Sequence, residues 1–364
     1  MTGRDVTVDC VATHVYSVPT DRPESDATFA WDATTVVIVE IDGGGEHGLG
    51  YTYGPRAVAA VIDDQLADIV RAGPVDPERV WTHLHAAVRN AGQSGVGAMA
   101  IAAVDLALHD LRARLLGLSL SRSLGGVRDA VPIYGSGGFT SYADDELAEQ
   151  LAGWVGQGIR RVKMKVGRRP AEDPRRLTIA REAIGTDAEL MVDANGAFAP
   201  REAIAQSQRY AEFGVSWLEE PVTQDDPEGL YAVRRQAPPG MAIASGEYNW
   251  SRYGAARLLA AHAVDVVQAD VTRCCGPTEL QRIDALCGAS GRPLSLHCAP
   301  AASAHVGCAL ERLIHLEYFH DHVRVEGMLF DGALEPVDGA LAPDPAVAGH
   351  GLSLREEAMQ YAVA

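Results

Sequence analysis

From about residue 131 onward, the chain alternates short apolar or β-branched runs with longer stretches of helical spacing, and this alternation most constrains its fold. Between the runs, apolar residues recur with helical periodicity, as at Leu147, Leu151 and Val155. Strands that alternate with helices form parallel sheets, and eight such units favour closure into an α/β barrel. The eight strand-like runs cover residues 131–135, 161–166, 189–193, 217–219, 241–245, 264–270, 293–297 and 313–317.

The first part of the chain has a different pattern. Residues 6–16 and 34–41 alternate like antiparallel strands, and an Ala/Leu-rich tract from Met99 to Gly117 predicts a buried helix. We therefore expect an α+β capping domain over residues 1–128 and a barrel with the active site over 129–324. The remaining segment, 325–364, is rich in Gly and Pro and is expected to return to the capping domain.

Composition narrows the range of partners. The net charge of −18 argues against binding nucleic acid, and an anionic substrate would need local positive charge to overcome that field. No apolar run approaches the ~20 residues that span a bilayer, and the N-terminus lacks a signal-peptide pattern, so we expect a cytoplasmic protein without membrane contact. The six cysteines show no zinc-like spacing and are expected to be buried thiols.

Three carboxylates, Asp193, Glu219 and Glu247, each end a strand-like run, at intervals of 26 and 28 residues. Successive parallel strands of a barrel end on the same rim, where barrel enzymes keep their active sites. A single acidic residue at a strand end is commonly a helix cap or a loop charge. Three in register favour a magnesium site, since Mg²⁺ prefers hard oxygen ligands with room for water and substrate oxygens.

Lys163 and Lys165 are two positions apart on one strand and therefore point to the same face. If that face is the barrel interior, the two ammonium groups lie near each other and near a dication. Each positive charge disfavours protonation of the others, which lowers a lysine pKa towards the range where the lysine can act as a base. The alternative is a solvated basic strand, but inward barrel positions are seldom solvated.

Asp270 and His297 end the sixth and seventh predicted strands, so the carboxylate can fix the tautomer of the imidazole. Lys165 and His297 then come from opposite sides of the barrel mouth and would offer one base to each face of a substrate. Glu317 ends the eighth strand and could, if protonated, donate a hydrogen bond to a substrate carboxylate.

This set of groups suits removal of the proton α to a carboxylate, which gives an ene-diolate with two negative oxygens. A magnesium ion and ammonium groups at those oxygens stabilise the charge where it develops. A lysine or histidine then takes the proton.

The ensemble resembles the enolase superfamily and, within it, the mandelate racemase subgroup. The frames that carry the resemblance are Lys163-Met-Lys165, Val-Asp193-Ala-Asn195, Trp-Leu-Glu219-Glu-Pro, Gly-Glu247, Ala-Asp270-Val-Thr-Arg273, Ser-Leu-His297 and Leu-Glu317. The resemblance implies a modified TIM barrel of the (β/α)7β type and an N-terminal α+β capping domain completed by the C-terminal tail. Barrel enzymes with capping domains often associate, so we also expect a homo-oligomer. Arg273 stands where many relatives carry Lys, and Cys274-Cys275 where a Gly pair is common.

The resemblance also implies roles for individual residues. Mg²⁺ would be held by Asp193, Glu219 and Glu247. Lys165 would be the base on one face, and His297 with Asp270 the acid/base on the other. The substrate, a small carboxylic acid, would be bound by Lys163, Glu317 and Asn195.

The substrate depends on two capping-domain loops, which the resemblance places at about Ser17–Ala30 and Gly48–Pro55. The polar residues singled out there are Asp21, Arg22, Glu24, Ser25 and Asp26 in the first segment and Tyr51, Thr52 and Tyr53 in the second. They favour a polyhydroxylated acid over an aryl acid, although they could equally be solvated. The first hypothesis is therefore a lyase, an acid-sugar dehydratase that forms a 2-keto-3-deoxy acid from an aldonate or aldarate. The second is an isomerase, a racemase or epimerase of a 2-hydroxy acid, which needs the same residues. A non-catalytic barrel is the remote third.

Overall fold

The protein is described by a computed structural model that covers residues 6–71 and 73–363. Its first unit is an antiparallel sheet of three strands, β1 (Cys10–Ser25), β2 (Ala30–Gly43) and β3 (Glu46–Tyr53). Helices follow: α1 (Ala57–Val61), a π-helical turn (Ile62–Leu66), α2 (Ala67–Arg71), α3 (Pro77–Ala87), α4 (Val96–Leu115) and α5 (Leu120–Ser123).

The buried helix predicted near Met99 is α4, which packs across β2 and β3. Two glycines of β3 allow this close approach. A Cβ atom at Gly50 would lie 2.1 Å from the carbonyl oxygen of Ala103, and one at Gly48 would lie 2.4 Å from that of Ala107. The sheet and α4 therefore form one apolar core.

The second unit is a closed barrel of eight parallel strands, in which the last strand pairs with the first. The strands are β4 (Val131–Gly137), β5 (Arg161–Lys165), β6 (Glu189–Asp193), β7 (Val215–Glu219), β8 (Ala242–Ser245), β9 (Val266–Ala269), β10 (Leu294–Leu296) and β11 (Leu313–Phe319). The helices after them are α6 (Asp144–Gly156), α7 (Asp173–Ile184), α8 (Pro200–Ala211), α9 (Pro227–Gln236), α10 (Arg252–Ala260), α11 (Pro277–Ala289), α12 (Pro300–Gly307) and α13 (His320–Leu329). All eight predicted runs contribute a strand, which confirms the predicted barrel.

Alternation along the strands separates two kinds of inward-facing residue. A compact apolar cluster fills the interior below the rim and consists of Tyr134, Met191, Trp217, Ala244 and Val266. Two positions further toward the strand ends, Met191 is followed by Asp193 and Trp217 by Glu219, because the side-chain period of a strand is two. The apolar cluster therefore lies directly below the charged side chains at the strand ends.

The tail after α13 continues through β12 (Phe330–Asp331), β13 (Ala340–Leu341) and β14 (Ser353–Leu354) to a 3₁₀ helix (Glu356–Tyr361). β13 pairs with β4 of the barrel, whereas the 3₁₀ helix packs on β1 and Ala362 bridges to Tyr16. The tail therefore contacts both units, and the division at residues 128 and 324 stays a prediction. None of the helices in residues 6–71 and 73–363 is long and apolar enough to cross a bilayer.

The two segments predicted as capping loops are mostly strands, which corrects that expectation. Residues 17–25 belong to β1 and 48–53 to β3, so that only residues 26–29 form a turn between strands. Backbone pairing extends along both edges of β2, and the prolines at 19 and 23 border the one interruption in the register. Polar composition alone could not separate such a strand from a loop.

Candidate active site at the barrel mouth

Three carboxylates converge at the C-terminal rim of the barrel. Asp193 is the last residue of β6, Glu219 is the last of β7, and Glu247 lies two residues beyond β8. Each offers one oxygen within 4.8 Å of the others, and all three side chains are buried. The structure therefore brings together the side chains predicted to meet here, and hard oxygens in one small volume suit Mg²⁺.

The electrostatics of this group also fit a divalent cation. Burial raises the pKa of Glu219 to about 8, even though the ammonium group of Lys163 lies 2.6 Å from its Oε1. Burial acts in the same sense on Asp193, but Lys165 and Lys163 outweigh it and lower the pKa of that carboxyl. The nearby lysines do not fully compensate the negative charge of these buried carboxylates, and a site of this kind binds a divalent cation favourably.

Lys163 and Lys165 point into the site from β5 and are buried. Lys165 Nζ lies 2.5 Å from Asp193 Oδ2, and Lys163 Nζ lies between Glu219 and Glu317. Burial acts to lower the pKa of each lysine, but the adjacent carboxylates outweigh it and raise both pKa values. Lys163 does act to lower the pKa of Lys165, as expected, but the carboxylates outweigh it, so the net shift is opposite to the expected one for this set of side chains. Lys165 remains an ammonium ion while Asp193 carries its full charge beside it.

His297 and Asp270 form the predicted pair. Nδ1 of His297 donates to Asp270 Oδ2 over 2.7 Å, and Asp270 Oδ1 accepts from the backbone nitrogen and the hydroxyl of Thr272, both at 2.7 Å. Burial acts to raise the pKa of Asp270, but the bond from His297 outweighs it and the pKa is lowered. Because an ionised carboxylate only accepts, Nδ1 carries the proton and Nε2 is the nitrogen left for chemistry.

The pKa of His297 is raised by its other neighbours. Burial acts to lower it, but Glu247 and Glu317 outweigh burial, and their carboxylate oxygens lie 3.3 and 3.6 Å from Nε2. The imidazolium form is thus stabilised at the position where a proton could be given to a substrate.

Glu317 corrects a second expectation. Its Oε1 lies 2.8 Å from Lys163 Nζ, and although burial acts to raise its pKa, Lys163 and His297 lower it far below the usual range. Glu317 is therefore ionised and accepts hydrogen bonds, rather than donating one. An accepting group suits a substrate hydroxyl better than a substrate carboxylate.

Asn195 lies just beyond β6 in a left-handed conformation, with φ +45°. Its backbone nitrogen donates to Asp193 Oδ1 at 2.9 Å and its Nδ2 donates to Oδ2 at 3.2 Å. Its own Oδ1 is buried without a hydrogen-bond partner among the described residues, and the side chain lines the cavity described below. Asn195 thus orients Asp193 and presents a free acceptor.

Arg273, for which no role was predicted, also belongs to the site. Its guanidinium group lies 3.3 Å from Glu247 Oε1 and 3.6 Å from Asp270 Oδ2, and it stacks over the ring of Tyr248. It therefore joins a carboxylate of the metal group to the His–Asp pair. The sequence signals were its position three residues after Asp270 and its place where many relatives carry Lys.

A cavity of about 510 Å³ opens above these groups and is lined by Lys165, Asn195, Glu247 and His297. The first unit closes its other side with residues of the β1–β2 turn, the start of β2 and the end of β3: Asp26, Phe29, Trp31, Ala33, Thr34, Thr35, Tyr53, Gly54 and Pro55. A further cavity of about 540 Å³ lies beyond Trp31, but it contains none of the predicted site residues. The chemistry therefore belongs to the first cavity.

Most of the polar residues singled out in the two capping segments point elsewhere. Tyr51 donates to Glu326, Thr52 to the carbonyl of Thr272, and Arg22 to Glu146. Of the eight polar residues singled out there, Asp26 and Tyr53 line the cavity. Trp31 and the threonines at 34 and 35, which the sequence did not single out, take that place.

Two family models match the chain: "Mandelate racemase / muconate lactonizing enzyme, N-terminal domain" over residues 10–125, and "Enolase C-terminal domain-like" over residues 146–358. The solved structure of a mandelate racemase/muconate lactonizing enzyme-like protein from Rubrobacter xylanophilus is 52% identical, with a TM-score of 0.96 over 98% of this chain and 100% of that one.

Two relatives have named activities. The D-galactarolactone cycloisomerase of Agrobacterium fabrum is 33% identical over 95% of this chain and 93% of its own length. The L-talarate/galactarate dehydratase of Salmonella typhimurium LT2, solved with Mg and L-lyxarohydroxamate, is 30% identical with a TM-score of 0.90, over 99% of this chain and 93% of that one.

Proposed function

Because this chain belongs to the mandelate racemase/muconate lactonizing enzyme family of the enolase superfamily, whose cofactor is Mg²⁺, we propose that it is an acid-sugar dehydratase. The substrate would be an aldonate or aldarate and the product a 2-keto-3-deoxy acid. The observation that most supports this proposal is that Lys165 and His297 line one cavity together with Glu247 and Asn195.

Asp193, Glu219 and Glu247 would hold the magnesium ion. When bound, Mg²⁺ would neutralise these carboxylates and stabilise the negative charge that develops on the substrate carboxylate as the α-proton leaves. Lys165, no longer held as an ammonium ion by a fully charged Asp193, can then lose its proton and act as a base.

Either Lys165 or His297 removes the α-proton, depending on the configuration of the carbon. The bond to the β-hydroxyl then breaks, Nε2 of the His297 imidazolium donates its proton to the departing oxygen, and water leaves. The enol that remains tautomerises to the 2-keto-3-deoxy acid. Asp270 stays ionised throughout and holds Nδ1, so that Nε2 can alternate between base and acid.

The contacts around the cavity are consistent with a hydroxylated substrate. Asn195 offers a free amide oxygen, and Thr35 and Tyr53 line the opposite side. Hydroxyl groups of a substrate need such acceptors and donors, because a buried polar group without a partner is unfavourable. The named relatives that act on galactarate or its lactone agree with this chemistry.

A second candidate is racemisation or epimerisation of a 2-hydroxy acid. It is favoured by the aromatic side chains of Phe29, Trp31 and Phe319, which border the same cavity and could accept an aryl group. This reaction needs a base on each face and no loss of the β-hydroxyl, so the same catalytic pair would serve it.

A panel of aldonic, aldaric and aryl 2-hydroxy acids, incubated with Mg²⁺ in D₂O and followed by ¹H NMR, separates these functions. A 2-keto-3-deoxy product supports the dehydratase. Deuterium exchange at the α-carbon with inversion and without loss of water supports the racemase instead. Intact Mg²⁺ binding without exchange in any acid would contradict both and favour a non-catalytic barrel. Glu219→Gln is the control, since it weakens the metal and should depress every reaction.

A further inference from the structure

A second group of metal-ligating atoms lies beside the three carboxylates and shares none of them. It consists of His297 Nε2, Cys298 Sγ and Glu317 Oε2. The sulfur lies 3.2 Å from Nε2 and 3.5 Å from Oε2, and Nε2 lies 3.6 Å from Oε2. All three side chains are buried, and Cys298 has no part in the proposed dehydration.

The spacing of these atoms is close to that on one face of a tetrahedral zinc site, with the 3.2 Å between Sγ and Nε2 slightly shorter than the range for such a site. Zinc binds sulfur at about 2.3 Å and nitrogen or oxygen at about 2.0–2.2 Å, so ligand atoms in a tetrahedral site lie roughly 3.3–3.6 Å apart. A nitrogen, a thiolate and a carboxylate oxygen are also the donors that borderline divalent ions prefer, whereas Mg²⁺ prefers oxygen alone. The two groups therefore select different ions.

The surrounding contacts already hold each ligand in place. Nδ1 of His297 donates to Asp270, which is the arrangement that normally orients a zinc-bound histidine through its other nitrogen. Glu317 uses Oε1 for Lys163 and leaves Oε2 facing the histidine and the thiol. The ligands would need little rearrangement to bind an ion.

The backbone at Cys298 is itself unusual. Cys298 and Ala299 have φ values of +50° and +46°, a left-handed conformation that non-glycine residues adopt rarely. The Cys298 carbonyl accepts from Ser303 Oγ at 2.8 Å, and the Ala299 nitrogen donates to His322 Nδ1 at 3.2 Å. These bonds hold a strained turn that directs the thiol into the cavity, and such strain tends to persist at functional sites.

We propose that His297, Cys298 and Glu317 form a second, inhibitory metal site for a borderline divalent ion such as Zn²⁺. The fourth ligand position would face the cavity and be filled by water. Because the thiolate is the form that binds the ion, the thiol proton is displaced as the ion binds. Since the ion would occupy Nε2, it would block the acid/base, a consequence that rests on the proposed function. The metal site itself does not.

Cobalt(II) tests the site directly, because thiolate ligation gives a charge-transfer absorption that oxygen ligands do not. The full chain is first saturated with Mg²⁺, so that the three carboxylates are occupied, and is then titrated with Co²⁺ or, by calorimetry, with Zn²⁺. We expect one additional ion per chain and a thiolate–cobalt band in the unmutated protein. Release of protons into a weakly buffered solution should accompany binding.

Cys298→Ser should abolish the band and weaken Zn²⁺ binding by about 100-fold or more, because loss of an outer-shell partner alone typically costs about 10–100-fold. Cys308→Ser, which alters a buried thiol at the C-terminal end of α12, is the matched control and should bind as the parent does. Absence of a thiolate band in the Mg²⁺-loaded parent protein would overturn the proposal without any variant. A band or an affinity that survives in Cys298→Ser would overturn it as well.

Discussion

Asp270→Asn should reverse the tautomer of the catalytic imidazole while leaving the shape of the site unchanged. Both donors that bond Oδ1 come from Thr272, and its backbone N–H can only donate, so the amide oxygen of asparagine must face that side. The amide NH₂ then points at Nδ1 of His297, 2.7 Å away in the parent protein. Nδ1 must become an acceptor, and the proton moves to Nε2, where the base is needed.

The expected loss of α-proton exchange in Asp270→Asn depends on which proton transfers use Nε2 of His297. A wrongly protonated histidine cannot take the α-proton, so exchange on its face should fall by about 10²–10⁴-fold, the usual contribution of a positioned acid or base. The Lys165 face does not depend on this tautomer and should keep most of its exchange. Deuterium incorporation into each configuration of the acid identified by the panel, measured by NMR, gives both rates.

Asp284→Asn supplies the matched control. Asp284 is also buried and accepts two backbone N–H groups, from Glu311 and Arg312 at 2.9 Å each, but it lies far from the barrel mouth in the fold. It should lower stability without changing the ratio of the two exchange rates. If Asp270→Asn kept its His297-side exchange, or lost both exchanges alike with Mg²⁺ still bound, the tautomer argument would be refuted.

Three further outcomes are expected. Lys165→Ala should suppress exchange of one configuration by about 10²–10⁴-fold and spare the other, and His297→Asn should do the reverse; equal loss of both would contradict a two-sided site. Gly50→Ala places a Cβ 2.1 Å from a backbone oxygen of α4 and should lower the free energy of unfolding by about 3 kcal/mol or more. Gly153→Ala, with open space in α6, should raise it by about 0.5–1 kcal/mol, and thermal unfolding compares the two. Burial raises the pKa of Asp105 to about 8, above an unfolded value near ~3.9, so the folded state binds the proton more tightly and its stability should fall as the pH rises between these values. The melting temperature of Asp105→Asn should therefore decline less steeply with pH than that of the parent.

The barrel and the convergence of its charged strand ends could be predicted because both depend on local periodicity. A strand repeats every two residues, so Lys163 and Lys165 must share a face, and parallel strands must end on one rim. Asp193 and Glu219 are paired directly in the register of β6 and β7, as their matching positions at the strand ends indicated. The spacing of residues along the sequence is enough to predict geometry of this kind.

The lining of the cavity could not be predicted, because it depends on how the first unit docks on the barrel. Trp31 and Thr34 reach the mouth only because β1 and β2 extend over it as a long hairpin, and Thr34 donates to Asp321 at the start of α13. Residues nearly 300 positions apart in the chain meet there, and no local pattern encodes that contact. The same applies to Arg273, whose partners come from two different strand ends.

The directions of the pKa shifts could not be predicted from the sequence for a related reason. They depend on the balance of charge among side chains that are in contact with one another. Five buried carboxylates face three permanent cations in the site: Asp193, Glu219, Glu247, Asp270 and Glu317 against Lys163, Lys165 and Arg273. These side chains therefore include more carboxylates than permanent cations, in a chain that is already strongly acidic. An acidic substrate would be repelled by the excess of carboxylates, whereas a dication offsets it and the imidazolium of His297 then matches a substrate carboxylate. The local balance, rather than the net charge of the chain, decides which anion can enter.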